Sequence, residues 1–85
     1  MSPETKEVLS NAMTTETTPV RTPNDLGQVI RQRRKALGIT QKTLALQTGV
    51  SVPTIIAVER GNEKTGIGVV LGLCDGLGID VTAGA

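Results

Sequence analysis

The 85-residue sequence contains no histidine, phenylalanine, tyrosine or tryptophan, and Cys74 is its only cysteine. Without histidine there is no imidazole general base and no histidine-bearing zinc or haem site. One cysteine cannot form an internal disulfide, so the chain is not a small secreted protein held together by disulfides. The absence of aromatic rings argues against recognition of single-stranded nucleic acid by base stacking. Only carboxylates, hydroxyls, lysines and one thiol remain for catalysis, and we expect no enzymatic activity, no metal site and no cofactor.

Long apolar runs are also absent. The most apolar stretch, residues 67–77, is about half as long as the roughly 20 residues that a membrane-spanning helix needs. Residues 1–11 carry acidic side chains and no apolar run, which is not the pattern of a signal peptide. We therefore expect a soluble cytoplasmic protein. The reducing cytoplasm is an environment in which a single cysteine stays as a free thiol.

The composition changes at about residue 21. Residues 1–21 are rich in threonine and hold few large apolar side chains, so they cannot bury enough surface to offset the entropy lost on ordering. The sequence predicts a flexible Thr-rich tail over residues 1–21, in which a short helix near residues 3–11 is one alternative. An ordered domain is expected over residues 22–83.

Four helices are predicted within this domain. Thr22, Pro23 and Asp25 match a helix start, with a hydroxyl cap, proline in the first position and an acid three residues after the cap. The first helix should span residues 23–37, the second residues 41–48, the third the stretch between Ser51 and Gly61, and the fourth residues 66–77. Glycines follow each of them and are expected to end them.

The C-terminal part of the domain predicts one helix face and one strand. The apolar residues expected to pack inward from the fourth helix are Ile67, Val70, Leu71, Cys74 and Leu77. Cys74 is interpreted as an unreactive core residue. Residues 79–82 alternate between apolar and polar side chains, which is typical of a short strand.

The second and third helices have the spacing of a helix-turn-helix, two helices of about eight residues joined by a short glycine turn. Ala45 is small where the two helices must cross, and Gly49 can take the positive φ that a sharp turn requires. A pair of this kind can occur in any small helical protein. The spacing alone therefore leaves DNA binding and other roles open.

Residues 26–61 resemble the Cro and lambda-repressor-like (XRE-type) helix-turn-helix family. The residues that carry the resemblance are Gly38, Thr40, Gln41, Leu44, Ala45, Gly49, Val50, Ser51, Ile55, Glu59 and Gly61. The resemblance implies an all-α, lambda-repressor-like bundle of four to five helices, with a short C-terminal strand that pairs across a dimer. The segment from Gly61 to Val81 also resembles HipB-type antitoxins. Many small regulators share the same C-terminal pattern, in which a glycine-rich helix end leads into a short strand.

The sequence contains a cluster of basic residues although its net charge is only +1. This basic patch consists of Arg31, Arg33, Arg34, Lys35 and Lys42. No acidic residue occurs between residues 31 and 42. Beside a helix-turn-helix, such a patch favours contact with DNA phosphates. The resemblance implies that Arg34 instead pairs with Glu59 inside the domain and ties the first helix to the end of the third. For Arg33 two orientations stay open, over the core or outward.

The resemblance implies that Gln41 contacts a DNA phosphate. Lys42 beside it and Lys64 in the loop after the third helix are expected as further phosphate contacts by their positions. Base recognition is expected from the exposed side of the third helix, which carries Ser51, Val52, Pro53, Thr54 and Ala57. None of these side chains can make the bidentate contacts by which arginine, lysine, asparagine or glutamine recognise guanine or adenine. We expect modest direct recognition of bases, including contacts with thymine methyl groups in T-rich half-sites, supported by DNA shape.

The expected function is that of a sequence-specific transcriptional regulator, a repressor that binds a double-stranded DNA operator as a homodimer. The dimer is expected to form through the fourth helix and the strand, with Ile79 and Val81 at the interface. One alternative is a HipB-like antitoxin, which would also bind a toxin protein and repress its own operon. Another is a protein-interaction module on the same fold.

Overall fold

The computed structural model describes residues 17–85, in which the chain forms four α-helices and no strand. The helices are α1 (Pro23–Ala36), α2 (Gln41–Thr48), α3 (Val52–Glu59) and α4 (Ile67–Gly76). The all-α helix-turn-helix fold predicted from the sequence is confirmed, and each helix boundary lies within two residues of its predicted position. Residues 17–21 are exposed and have no regular structure, whereas the predictions for residues 1–16 lie outside the described residues.

Side-chain caps explain where the first three helices begin. The hydroxyl of Thr22 accepts a hydrogen bond from the backbone N–H of Asp25 at 3.0 Å, and the Asp25 carboxylate accepts one from the backbone N–H of Thr22 at 3.1 Å. The hydroxyls of Thr40 and Ser51 cap α2 and α3 by accepting hydrogen bonds from the backbone N–H of the third residue of each helix, Thr43 and Thr54. Such caps satisfy backbone donors that have no partner within the helix. Short helices are thereby started at defined residues.

An entirely aliphatic and thiol core joins the four helices. Its buried members are Ile30, Leu44, Ile55, Val58, Leu73, Cys74 and Leu77. Complete burial of a side chain such as leucine or isoleucine contributes about 1.5–3 kcal/mol. Burial also raises the pKa of the Cys74 thiol, which favours its unreactive protonated form.

The predicted inward face of α4 is partly wrong. Ile67 is 67% exposed and Leu71 is 42% exposed, whereas Leu73, which was not predicted to point inward, is fully buried. The buried side of α4 carries Val70, Leu73 and Cys74, and Leu77 continues it just after the helix. Because α4 carries apolar residues on both sides, the pattern could not decide which side faces the core.

The predicted strand over residues 79–82 is also wrong for the single chain, because residues 17–85 contain no strand. The backbone N–H of Ile79 donates to the carbonyl of Cys74 at 2.8 Å, which ties this segment to the end of α4. Ile79 packs against the core, and the side chain of Val81 is 54% exposed. A strand needs a neighbour for its backbone groups, and this segment has none among residues 17–85.

Arg33 takes the inward of its two open orientations. Its Nε donates to the carbonyl of Leu77 at 2.9 Å, and the contact is partly buried. Leu77 is the C-cap of α4, and carbonyls at the C-terminal end of a helix have no partner in the helix and attract positive charge. Arg33 therefore joins α1 to the end of α4 and is not part of the exposed basic surface.

The backbones of α1 and α3 touch at Gly27. A Cβ atom at this position would overlap the carbonyl oxygen of Val58 and would lie 3.0 Å from the carbonyl oxygen of Glu59. Only glycine allows the two helices to approach this closely. The resulting contact brings the C-terminal end of α3 against the N-terminal half of the basic helix α1. None of the helices in residues 17–85 is long and apolar enough to cross a membrane.

Candidate nucleic-acid interface

A tight turn sets the angle between α2 and α3. Gly49 has a φ of 77°, in the left-handed region that only glycine adopts readily, and its N–H donates to the carbonyl of Ala45. The hydroxyl of Thr48 donates to the carbonyl of Leu44 at 2.7 Å and accepts from the N–H of Val50 at 3.3 Å. The turn is therefore held on both sides. The start of α3 has a fixed direction relative to α2.

The first turns of α3 carry the residues expected to contact bases. Ser51 and Pro53 are exposed, and Val52, Thr54 and Ala57 are half-buried. The hydroxyl of Ser51 donates to the hydroxyl of Thr54 at 2.9 Å and accepts from the backbone N–H of Thr54 at 3.3 Å. The surface is therefore mostly aliphatic, and one of its two hydroxyls is already used within the chain.

A buried ion pair lies behind this surface. The Nε and Nη2 atoms of Arg34 donate to the two carboxylate oxygens of Glu59 at 2.7 and 3.1 Å, and Nη1 donates to the carbonyl of Ile39 at 2.9 Å. Arg34 is 8% exposed and Glu59 is 6% exposed. The pair joins α1 to the end of α3. Two parallel hydrogen bonds are the strong, orientation-specific form of an arginine–carboxylate contact.

Gln41 belongs to the same network, which sequence reasoning did not foresee. Its Nε2 donates to Oε1 of Glu59 at 3.1 Å, so one amide hydrogen is held inward. The side chain of this first residue of α2 therefore has a fixed orientation. No local pattern could reveal the contact, because residues 41 and 59 lie in different helices.

The ion pair also determines the charge of Glu59. Burial acts to raise the pKa of Glu59, because it disfavours the carboxylate. The hydrogen bonds from Arg34 and Gln41 and the positive charge of Arg34 outweigh burial, so the net effect lowers that pKa. The hydrogen bonds that Arg34 donates to Glu59 raise the pKa of Arg34. Both partners are charged at neutral pH.

An open polar groove lies between α1 and α3, and Gln41 lines one part of it. The residues lining the groove are Asn24, Gln28, Arg31, Gln32, Gln41, Ile56, Glu59 and Arg60. Arg31 and Arg60 are exposed, and Arg60 was not among the site residues predicted from the sequence. Its position directly after α3 was the available signal. The groove combines two positive charges with amide donors, a set that suits an anion such as a phosphate.

The remaining predicted site residues lie at the periphery. Lys42 is exposed in the first turn of α2. Lys64 is exposed in the loop after α3, where Asn62 accepts a hydrogen bond from its backbone N–H at 2.7 Å. No cluster of three or more potential metal ligands occurs among residues 17–85.

Together these features define a helix-turn-helix protein: a capped helix directed by a glycine turn, beside a helix N-terminus with basic neighbours. A family model described as "Helix-turn-helix" matches residues 30–83, which is more than half of the sequence. The chain belongs to this helix-turn-helix family, of the XRE type.

Individual relatives agree with this assignment. An "Uncharacterized HTH-type transcriptional regulator" of Methanothermobacter thermautotrophicus is 54% identical over 33 residues, which cover 39% of this chain and 48% of the relative. The chain spans only 12% and 48% of the lengths of two curated relatives that it matches.

Two solved structures share the fold. The restriction-modification controller protein C.AhdI from Aeromonas hydrophila has a TM-score of 0.61 and 33% identity, with 68% of this chain and 88% of that chain covered. A chain of the HipA–HipB–O2–O3 complex has a TM-score of 0.75 and 22% identity, with 81% and 97% covered. At that lower identity the second likeness concerns the fold alone.

Proposed function

We propose that the protein is a sequence-specific, double-stranded-DNA-binding transcriptional regulator that acts as a dimeric repressor in the cytoplasm and has no enzymatic activity. The observation that carries the proposal is the anchored Gln41 at the start of α2, beside Arg31 and Arg60 and next to a rigid helix-turn-helix. The same fold in a controller protein at 33% identity supports it.

The proposed complex follows from the geometry of the helix pair. The N-terminal part of α3 enters the major groove, with Ser51, Val52, Pro53, Thr54 and Ala57 toward the base edges. A backbone phosphate lies at the N-terminus of α2, where helix N–H groups favour an anion. Side chains proposed to contact phosphates are Gln41, Lys42, Lys64, Arg31 and Arg60. Phosphate contacts position the protein, and the α3 surface distinguishes sequences.

Replacing Gln41 by alanine is expected to weaken binding to duplex DNA by roughly tenfold or more, because a hydrogen bond to a charged group is worth about 1.5–3 kcal/mol.

Binding of the wild type should fall steeply with added salt, and Lys42→Ala should reduce the slope of log K against log salt by about 1. Fluorescence anisotropy with labelled duplexes recovered by binding-site selection measures both effects.

The matched control is Gln47→Ala, which removes the same side chain from an exposed position at the other end of α2. This variant should bind like the wild type. Equal losses for the two glutamine variants, or no duplex binding at low salt, would contradict the proposed function. The second outcome would favour the protein-interaction module on the same fold.

A second copy of the chain is the proposed partner for the exposed apolar side chains of α4 and the C-terminal segment. Ile67, Leu71 and Val81 leave a large fraction of their surface uncovered in the single chain. A dimer would cover them and place two α3 helices about 34 Å apart, one turn of DNA. Ile79 packs against the core beside Val81, at the edge of this proposed interface.

The variant Val81→Asp is expected to raise the dimer dissociation constant at least tenfold, because an unpaired carboxylate is poorly tolerated in an apolar interface. Val81 lies beyond the last helix, so the fold of the single chain should be unaffected. Sedimentation velocity gives the association state, and Leu37→Asp, at another exposed apolar position, serves as the control. A wild type that sediments as a monomer of 8.9 kDa at micromolar concentration would overturn the homodimer.

An antitoxin is the second candidate function. The observation that favours it is the fold shared with a chain of the HipA–HipB–O2–O3 complex over 81% of this sequence. In this case a toxin protein would be a further partner. Co-purification of the chain with the product of an adjacent gene would separate the antitoxin from a repressor that acts alone.

A further inference from the structure

We propose that α3 recognises the 5-methyl groups of pyrimidines, so that the preferred ligand is duplex DNA with thymine or 5-methylcytosine opposite the first two turns of this helix. The inference rests on the proposed function and names the base chemistry that the site selects. It follows from three properties of the α3 surface: its aliphatic side chains, its internally bonded hydroxyls and its lack of available charge.

Aliphatic side chains outnumber hydroxyl-bearing ones among the solvent-accessible residues at the start of α3. Pro53 is exposed, and Val52, Ile56 and Ala57 are half-buried with part of each side chain in solvent. None of these side chains can donate or accept a hydrogen bond. In the major groove, the thymine methyl is the apolar group on the base edges, so it is the complementary target.

The two hydroxyls provide little hydrogen-bonding capacity for bases. The Ser51 hydroxyl gives its hydrogen to the Thr54 hydroxyl at 2.9 Å, and its oxygen accepts the Thr54 backbone N–H. Breaking these contacts would remove the cap of α3. Only the Thr54 hydroxyl hydrogen is left as a donor, and a single hydroxyl contacts any base type without distinguishing it.

The single charged side chain of α3 and the arginine that follows the helix are directed elsewhere. Glu59 is the only charged residue within α3, and it is buried against Arg34 and Gln41. Arg60 follows α3 and lines the groove that Gln41 also lines. The bidentate contacts with guanine and adenine therefore have no source on this helix, which leaves methyl burial as the main basis for choosing a sequence.

The expected size of the effect follows from the burial of one methyl group. Burial of one methyl group contributes about 0.8 kcal/mol of binding free energy, so removing that group should lower the affinity about fourfold. The methyl of 5-methylcytosine occupies the same C5 position as that of thymine. The site should therefore respond to a methyl at that position whether the base is thymine or cytosine.

Substitution of the methyl group in otherwise unchanged DNA tests the proposal. Duplexes that bind the full chain are first recovered by selection, and each thymine in the half-site is then replaced by deoxyuridine, which keeps base pairing and removes only the methyl. Affinity should fall about fourfold at one or more positions in each half-site. Replacing the affected T·A pair by 5-methylcytosine·G should retain more affinity than replacing it by unmethylated C·G.

A protein variant links the effect to α3. Val52→Thr exchanges a methyl for a hydroxyl of similar size and should reduce the discrimination between thymine and deoxyuridine. The control is Val20→Thr, the same exchange at an exposed position before α1, which should leave the discrimination unchanged. Thermal unfolding checks that both variants are folded.

The possible failures are distinguishable. Salt-dependent duplex binding that is unaffected by every thymine-to-deoxyuridine exchange would overturn the methyl proposal and leave the proposed function intact. Selected half-sites that depend on guanine, with affinity lost on removal of the guanine N7 atom, would overturn it as well. Failure to bind any duplex at low salt would overturn both.

Discussion

Replacing Glu59 by alanine is expected to lower the free energy of unfolding by about 3–5 kcal/mol, because it leaves the buried guanidinium of Arg34 without its partner. The pair is bidentate, both side chains are almost fully buried, and α1, α2 and α3 all contribute to it. A small domain has only about 5–15 kcal/mol of stability, so much of the native state would be lost. Urea denaturation followed by far-UV circular dichroism measures the change.

The control for Glu59→Ala removes both charges at once. The double variant Arg34→Met with Glu59→Leu replaces the pair by apolar groups of similar size and is expected to be about as stable as the wild type. It should still bind DNA more weakly, because Gln41 loses its anchor. In that background Gln41→Ala should have little further effect on affinity. A loss below about 1 kcal/mol for Glu59→Ala would mean that the pair is not buried in solution.

The same ion pair makes stability depend on acid. The pKa of Glu59 is lower in the folded chain than its usual value of 4.5. The carboxylate therefore contributes its full stabilisation above the pKa of the unfolded chain, and this contribution is lost as the pH falls through the lower pKa of the folded chain. Urea titrations between neutral pH and acid should accordingly show a weaker pH dependence for Arg34→Met with Glu59→Leu than for the wild type.

Replacing Gly27 by alanine is expected to cost about 1–3 kcal/mol of stability. In an isolated helix the same change would stabilise by up to about 1 kcal/mol, because alanine favours the helix. Here the added methyl would meet the backbone carbonyl oxygens of Val58 and Glu59, which cannot turn away as a flexible side chain could. The helices α1 and α3 would have to move apart, and the ion pair between them would be strained.

The control for Gly27→Ala is Gln28→Ala, one residue further along α1 on its exposed surface. This substitution should change the free energy of unfolding by no more than about 0.5 kcal/mol. Thermal and urea denaturation of the two variants under the same conditions give the comparison. A stabilised Gly27→Ala variant would mean that the two helices are further apart in solution.

The positions of the helices follow from the amino-acid sequence, because the signals that start and end a helix are local. Thr22, Thr40 and Ser51 each place a hydroxyl where backbone N–H groups lack partners, and Gly49 supplies the left-handed turn. The family resemblance added the pairing of helices and named residues for the DNA surface.

Which residues meet across helices depends on how the four helices pack in the folded chain. Leu73, rather than Ile67 and Leu71, fills the core, since α4 is apolar on both sides and packing against α2 selects one of them. The segment after α4 pairs with no other strand within the described residues. These outcomes depend on neighbours that are distant in sequence, which a local pattern does not contain.

The same distinction applies to the candidate site. Its residue types and the basic patch were readable from the sequence. Three contacts could be read only from the folded chain. Glu59 holds Gln41, Arg33 turns inward to Leu77, and Gly27 allows α1 to touch α3. Hydrogen bonds and close backbone contacts act over about 3 Å, so only the arrangement of the helices in space brings these groups together.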